Sequence, residues 1–156
     1  MVKVLFVCLG NICRSPMAEF VFKDMVNKKG LTDLFYIDSK ATTDYNELHQ
    51  EGIYQETKDV LNEMKIPFTE HMSKQLKKED YDKFDYIIGM EQENVKNILN
   101  IIKSDSEHKV YKLLDFTDEP RDIVDPWYYH NFDATYYDID YGCQKFLDYI
   151  IKKENL

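Results

Sequence analysis

The chain has 156 residues, 44% of them hydrophobic and 31% charged, which fits one globular domain, 1–156, with its own core. Its net charge of −9 argues against nonspecific nucleic-acid binding and against docking on anionic membranes. No run approaches the roughly 18 apolar residues of a membrane span, and Met1-Val2-Lys3 leads straight into a strand pattern rather than an apolar leader, so the expected location is the cytoplasm.

Residues 3–7 form the first predicted strand, apolar throughout as a central parallel strand is. The run breaks at Cys8 into a tight loop, Leu9-Gly10-Asn11-Ile12-Cys13-Arg14. A helix is expected over 16–29, with Ser15 as N-cap, Pro16 in the first position and Gly30 as the stop. Ala18, Val21, Phe22 and Met25 give its apolar stripe. A second strand is expected over 35–39, then a polar loop over 40–50 that holds Tyr45. The pattern Thr57, Val60, Leu61, Met64 predicts a helix over 54–64, ended by Ile66-Pro67. A loop with His71 and a helical turn near 78–82 lead to a third strand, 84–90, and a helix over 92–103. The fourth strand is 110–114, followed by a long loop over 115–131, rich in Asp and Pro and then in aromatics. Loops of that length are usually functional. The last helix, 133–152, turns Ile139, Cys143, Phe146 and Ile150 inward. Strands alternating with helices predict an α/β class with a parallel sheet and right-handed crossovers. Ligands bind such sheets beyond the carboxyl ends of the strands, where strand order reverses, and Cys8 lies at such an end.

The strand, loop and helix start together make an anion site, because free N–H groups and the helix dipole point the same way. A cysteine on the floor of that site is expected as a thiolate. Arg14, six residues on, can grip two oxygens of a tetrahedral oxyanion, and Ser15 can donate to the sulfur. In so acidic a chain this affinity has to be built locally. A thiolate attacking a phosphate monoester also needs a proton donor for the leaving oxygen. Asp125 is the candidate: Pro126 stiffens the chain beside it, and Trp127-Tyr128-Tyr129 can wall an aromatic substrate. Asp115, Asp118 and Asp122 share the loop as possible solvated aspartates.

The three cysteines, Cys8, Cys13 and Cys143, are odd in number and lack metal spacing, and they read as reduced thiols. Cys13 is either a second reactive thiol, able to shield Cys8 through a reversible disulfide, or a packed residue. Cys143 is a core position. On their own Ser39 and His71 read as ordinary loop polar groups. His49, His108 and His130 show no ligand spacing, so neither a metal nor a cofactor is expected.

Cys8-Leu9-Gly10-Asn11-Ile12-Cys13-Arg14-Ser15-Pro16 near the N-terminus, with Asp125-Pro126-Trp127-Tyr128 near the C-terminus, closely resembles the low-molecular-weight protein tyrosine phosphatases. The likeness runs through Asp38-Ser39, Ile66-Pro67, Phe84-Asp85-Tyr86-Ile87 and Phe146-Leu147. It implies a flavodoxin-like three-layer αβα fold with a four-stranded parallel sheet of order 2-1-3-4. It implies a phosphocysteine on Cys8, phosphate held by Arg14 and the amides of the Leu9–Ser15 loop, and Asp125 as general acid and then base. It also implies a left-handed Asn11 braced by Ser39 and His71, a cleft lined by Tyr45, Trp127 and Tyr128, and reversible oxidation at Cys13. The partners implied are phosphotyrosine-containing proteins, acted on by a monomer. There are two departures: Trp127 stands where many members have tyrosine, and 46–52 lacks the proline and the basic residue often found there.

Three other activities start from similar residues. An arsenate reductase needs resolving cysteines beyond the loop, and between Cys13 and Cys143 there are none. Protein-arginine phosphatases of the same family carry threonine where Ile12 stands, and Ile12 beside an aromatic wall suits a phenyl ring better than a hydrated guanidinium. A non-catalytic phosphate-binding module would be expected to lack one of Cys8, Arg14 and Asp125, and all are present.

Overall fold

Val4, Leu5, Phe6 and Val7 are wholly buried, as a strand covered on both faces must be. They belong to β1 (Val2–Cys8) in a computed structural model that describes residues 1–156. β1 pairs in parallel with β2 (Phe35–Ala41) on one side and β3 (Tyr86–Gly89) on the other, and β3 pairs with β4 (Val110–Lys112). The sheet order is therefore β2-β1-β3-β4, as expected. After β2 the chain returns across β1 to build β3, so the carboxyl end of β1 is the switch point where ligands bind.

Alternate residues of β1 serve two cores. Val4 and Phe6 face α1 (Arg14–Lys28) and α7 (Phe132–Glu154), where the rings of Phe22 and Phe146 stack at 5.3 Å and Phe6 meets both edge-on. Leu5 and Val7 face Leu76, Phe84, Ile98 and Ile102, the last two from α5 (Gln92–Ile102). These two faces make the three-layer αβα arrangement. No helix is long and apolar enough to cross a membrane.

The element boundaries depart from the sequence pattern for identifiable reasons. α1 starts at Arg14, with Cys13 in the N-cap position and no side-chain cap. Ser15 is not the N-cap, because its hydroxyl is bonded to Cys8 Sγ, and Pro16 consequently sits at the third helical position. Gly30 does end α1: at φ 71° its N–H reaches Asn27 O while that of Leu31 reaches Val26 O. The helix α3 (Gln55–Glu63) ends the same way, not at Pro67 but through Lys65 at φ 59°, with Lys65 and Ile66 donating to Asn62 O and Leu61 O. The 40–50 loop contains a helical turn, α2 (Tyr45–Leu48), and the turn expected near 78–82 is α4 (Asp80–Lys83). β4 is shorter than predicted because Leu113–Phe116 coil into a 3-10 turn that carries Leu113 under α7. Gly142 permits that contact, since a Cβ there would lie 2.7 Å from Leu113 Cγ. The long 115–131 stretch holds one further turn, α6 (Pro126–Tyr129).

Candidate active site

The loop from Leu9 to Cys13 curls over the end of β1. Its carbonyls are drawn outward: Thr42 N–H donates to Cys8 O, Thr43 N–H to Leu9 O and Tyr54 N–H to Ile12 O. Gly10 O accepts from both Asn46 Nδ2 and Ser73 Oγ, each at 2.9 Å. A Cβ at Gly10 would lie 2.5 Å from Asn46 Nδ2, so a side chain there would displace that donor from Gly10 O. Inside the loop, Cys8 Sγ lies 3.0 Å from Ser15 Oγ and accepts the Asn11 N–H at 3.3 Å.

Asn11 sits at φ 56°, in the left-handed region that asparagine tolerates better than most residues. Its buried side chain is fixed from three sides. Nδ2 donates to Ser15 Oγ (2.8 Å) and Ser39 Oγ (3.0 Å), and Oδ1 is 2.9 Å from His71 Nε2. Ser39 Oγ donates in turn to Glu19 Oε1 at 2.7 Å, and His71 Nδ1 lies 3.5 Å from the same oxygen. Glu19 Oε2 pairs with Lys23 at 2.5 Å. Glu19 is buried and one helical turn beyond Ser15 on α1, so the brace beneath the loop ends on a fixed carboxylate. Glu19, Asp38 and His71 bring ligand-type atoms within 4.8 Å of one another, but the bonds to Ser39, Lys23 and Asn11 already occupy Glu19 and His71.

Arg14 is 2% exposed, and its guanidinium is held by three acceptors. Nη1 donates to Glu91 Oε2 at 2.6 Å and to Ile123 O at 2.8 Å, and Nη2 lies 3.5 Å from Asp125 Oδ2. Burial alone would lower its pKa, but negative charge at Cys8, Glu91 and Asp125 outweighs burial and raises it. Asp125 is the N-cap of α6, and its Oδ1 accepts the Trp127 N–H at 3.0 Å. Its neighbour Asp122 has another task. Despite a burial effect in the opposite direction, bonds from Lys112 Nζ and Gln92 N–H hold its carboxyl below the usual range and anchor the loop. Asp118 is taken by the hydroxyl of Tyr141.

These groups face a cleft of about 560 Å³. Tyr45 and Tyr128, both exposed, and the half-exposed Trp127 stand at its mouth. Tyr45 stacks on His49 at 4.2 Å, and Trp127 meets Tyr54 edge-on at 4.9 Å. Residues Cys8 to Arg14 and Asp125 line the same cleft, while Ser15, Ser39 and His71 lie behind the loop, bonded to the Asn11 side chain.

Residues 3–156 match the family model described as low molecular weight phosphotyrosine protein phosphatase. The chain belongs to that family. It is 42% identical to the low molecular weight protein-tyrosine-phosphatase PtpA of Staphylococcus haemolyticus, over all of this chain and 98% of that protein. Among solved structures, YfkJ from Bacillus subtilis superposes with a TM-score of 0.91 at 36% identity, covering 98% of this chain and 96% of that one. The low molecular weight protein tyrosine phosphatase SP-PTP from Streptococcus pyogenes superposes at 0.86 with 39% identity, covering 99% and 97%.

Within this phosphatase fold, five contributors escape a reading of the motif alone: Glu19, Asn46, Tyr54, Ser73 and Glu91. Glu91 was the most accessible, as an acid just beyond the carboxyl end of β3, next to the switch point. Tyr54 lies in a stretch that reads as the start of a helix, and nothing in its spacing marks it as a cleft wall. Cys13 is buried, and burial followed by the charge at Cys8 pushes its thiol up to about 12. Cys143 is fully buried, its thiol raised by that burial and placed 3.9 Å from Ala18 O.

Proposed function

We propose that this tyrosine phosphatase hydrolyses phosphotyrosine in proteins, and small aryl phosphates, through a phosphocysteine on Cys8. The observation that carries the proposal is the convergence of Cys8 Sγ, the Arg14 guanidinium and the Asp125 carboxyl on one cleft with aromatic walls.

In the first step Cys8 Sγ attacks phosphorus and the P–O bond to the ring breaks. Asp125, protonated, gives its proton to the departing phenolate oxygen. Arg14 and the loop amides bind the three equatorial oxygens and stabilise the charge of the in-line transition state. The Ser15 hydroxyl and the Asn11 N–H support the sulfur as thiolate before attack and as leaving group afterwards. In the second step water attacks phosphorus, Asp125 takes its proton, the S–P bond breaks and inorganic phosphate leaves. Glu91 positions Arg14, and Asn11, Ser39 and His71 hold the loop in its strained form. Tyr45, Trp127 and Tyr128 select a flat ring. None of these steps uses a metal or cofactor. The proposal takes 1–156 as one domain acting as a cytoplasmic monomer. The full burial of Cys143 speaks against an arsenate-reducing thiol relay.

The test is hydrolysis of two aryl phosphates, one with a good and one with a poor leaving group, by wild type, Cys8→Ser and Asp125→Ala. Cys8→Ser is expected to show no turnover. Asp125→Ala is expected to lose about 10²–10⁴-fold with the poor leaving group and much less with the good one. Full activity in Cys8→Ser overturns the mechanism, and equal losses for the two substrates remove Asp125 as the acid.

A further inference from the structure

The walls of the cleft carry three charged side chains: Arg14, Asp125 and Glu51. Arg14 is tied to Asp125 and to Glu91. Glu51 is exposed, and its carboxylate has neither an ion-pair nor a hydrogen-bond partner. Nearby Glu47 is different, since its Oε1 is already occupied by Gln75 N–H at 2.7 Å.

The backbone of Glu51 is fixed against the phosphate loop. Its N–H donates to Asn46 O at 2.8 Å, and its carbonyl accepts the Ser73 N–H at 2.9 Å. Asn46 and Ser73 are the same two residues whose side chains hold Gly10 O. The adjoining Gly52 bridges Met72 in antiparallel fashion. A closed ring of bonds, Gly10 to Asn46 to Glu51 to Ser73 and back to Gly10, therefore sets where Glu51 stands relative to Cys8. The lining of the cleft thus offers an unpaired negative charge on a fixed backbone, and no cation besides Arg14.

We infer that Glu51 is a specificity residue: it selects phosphotyrosines flanked by lysine or arginine in the substrate protein and discriminates against those flanked by acids. The inference rests on the phosphatase reading above and adds the class of peptide that reading leaves open. The phosphoryl group is drawn in by Arg14 and the loop, while the remainder of the substrate meets Glu51 in a chain whose net charge is −9. A cationic neighbour gains an attraction there, and an acidic one meets like charge. The pair is solvent-exposed, so the effect per charge is about two- to fivefold. It acts on substrate association and is screened by salt.

The experiment compares kcat/KM for two phosphotyrosine peptides that differ only in flanking residues, Lys against Glu, with wild type, Glu51→Gln and Glu51→Lys. The measured quantity is the ratio between the two peptides within each protein, so any general loss of activity cancels. At low salt wild type is expected to favour the Lys peptide by about five- to tenfold, mainly through KM, with the ratio falling toward one in 0.5 M salt. Glu51→Gln is expected to shrink the ratio about twofold or more, and Glu51→Lys to bring it to one or invert it. A wild-type ratio of one at low salt, or an unchanged ratio in Glu51→Lys, overturns the inference. p-Nitrophenyl phosphate, which has no flanking residue, separates the two levels: if wild type hydrolyses it while the peptide ratio fails, Glu51 is wrong and the phosphatase reading stands. If wild type does not hydrolyse it, both fall.

Discussion

Glu91 Oε2 lies 2.6 Å from Arg14 Nη1, so an acid beyond the end of β3 fixes the guanidinium that faces Cys8 from α1. Arg14 is almost fully buried and Glu91 only partly so, which makes the arginine the partner that suffers when the pair is broken. Glu91→Ala is expected to cost about 2 kcal/mol of stability, below the range for fully buried pairs because Glu91 reaches solvent. It should also lower kcat/KM for aryl phosphates about tenfold or more, as Arg14 drifts toward Asp125. Urea unfolding and steady-state kinetics on the same samples check both, and an unaltered kcat/KM would show that Ile123 O and Asp125 suffice to hold Arg14.

Asn11 combines strain with three side-chain bonds, and two substitutions separate these contributions. Asn11→Gly keeps φ 56° without cost but deletes the bonds to Ser15, Ser39 and His71. Asn11→Ala deletes the same bonds and adds about 1–2 kcal/mol of left-handed strain. Both are expected to lose kcat, with Asn11→Ala the less stable by roughly that amount in thermal or urea unfolding. Equal stabilities would mean that the loop relaxes out of the left-handed form once the brace is gone.

Ile12 lines the cleft and its carbonyl is fixed by Tyr54 N–H, so its side chain can change with little backbone consequence. Wild type is expected to turn over a phosphotyrosine peptide at least about 100-fold faster than a matched phosphoarginine peptide, and Ile12→Thr to narrow that ratio about tenfold. Product phosphate released from each peptide is the measurement. Wild-type preference for phosphoarginine would reverse the assignment of Ile12.

The two buried thiols make stability fall in alkali. The unfolded thiol titrates near 8.5, whereas Cys13 in the fold is pushed up to about 12 and Cys143 lies well above its ordinary value. The unfolded chain therefore holds fewer protons than the native one above that lower value. The contribution is fully present below about pH 8.5 and is lost as pH rises toward 12, at up to about 1.4 kcal/mol per pH unit for each thiol. Denaturant unfolding at pH 7.5, 9 and 10.5 should show the decline, with a shallower slope in Cys143→Ala. At pH 7.5 iodoacetamide is expected to label Cys8 alone, as read by peptide mass spectrometry, because the raised thiols of Cys13 and Cys143 stay protonated and so unreactive at that pH.

Gly142 lies inside α7, where alanine would ordinarily favour the helix by about 1 kcal/mol. Here the new Cβ would meet Leu113 Cγ at 2.7 Å and Leu114 Cδ2 at 3.1 Å, both buried. Gly142→Ala is expected to destabilise by about 1–3 kcal/mol instead, with the overpacking outweighing the propensity. A rise in melting temperature would show that the 3-10 turn after β4 yields freely.

The α/β class and the Cys8–Arg14 loop were legible because both depend on short-range signals: alternating strand and helix patterns, an apolar strand, a glycine turn and a helix start. The sheet order came only through family likeness, because strand neighbours are set by long-range pairing. The helix ends were less legible. Ser15 has the profile of an N-cap, yet the sulfur of Cys8 competes for its hydroxyl and wins. Lys65 terminates α3 at φ 59°, a left-handed position usually marked by glycine or asparagine, and a lysine carries no such mark. Ser39 and His71 gained a role only through family likeness, because their meeting with Asn11 spans 28 and 60 residues. Glu19, Asn46, Tyr54, Ser73 and Glu91 act through contacts of the same long range, which no local pattern reports.

Asp125 caps α6 and Trp127 lies two residues on, joined to it by the bond from Trp127 N–H to Asp125 Oδ1. The proposed proton donor and the aromatic wall are thus joined across a single helical turn. A change at Trp127 is therefore expected to surface in kcat as well as in affinity, because the wall and the carboxyl share one backbone anchor.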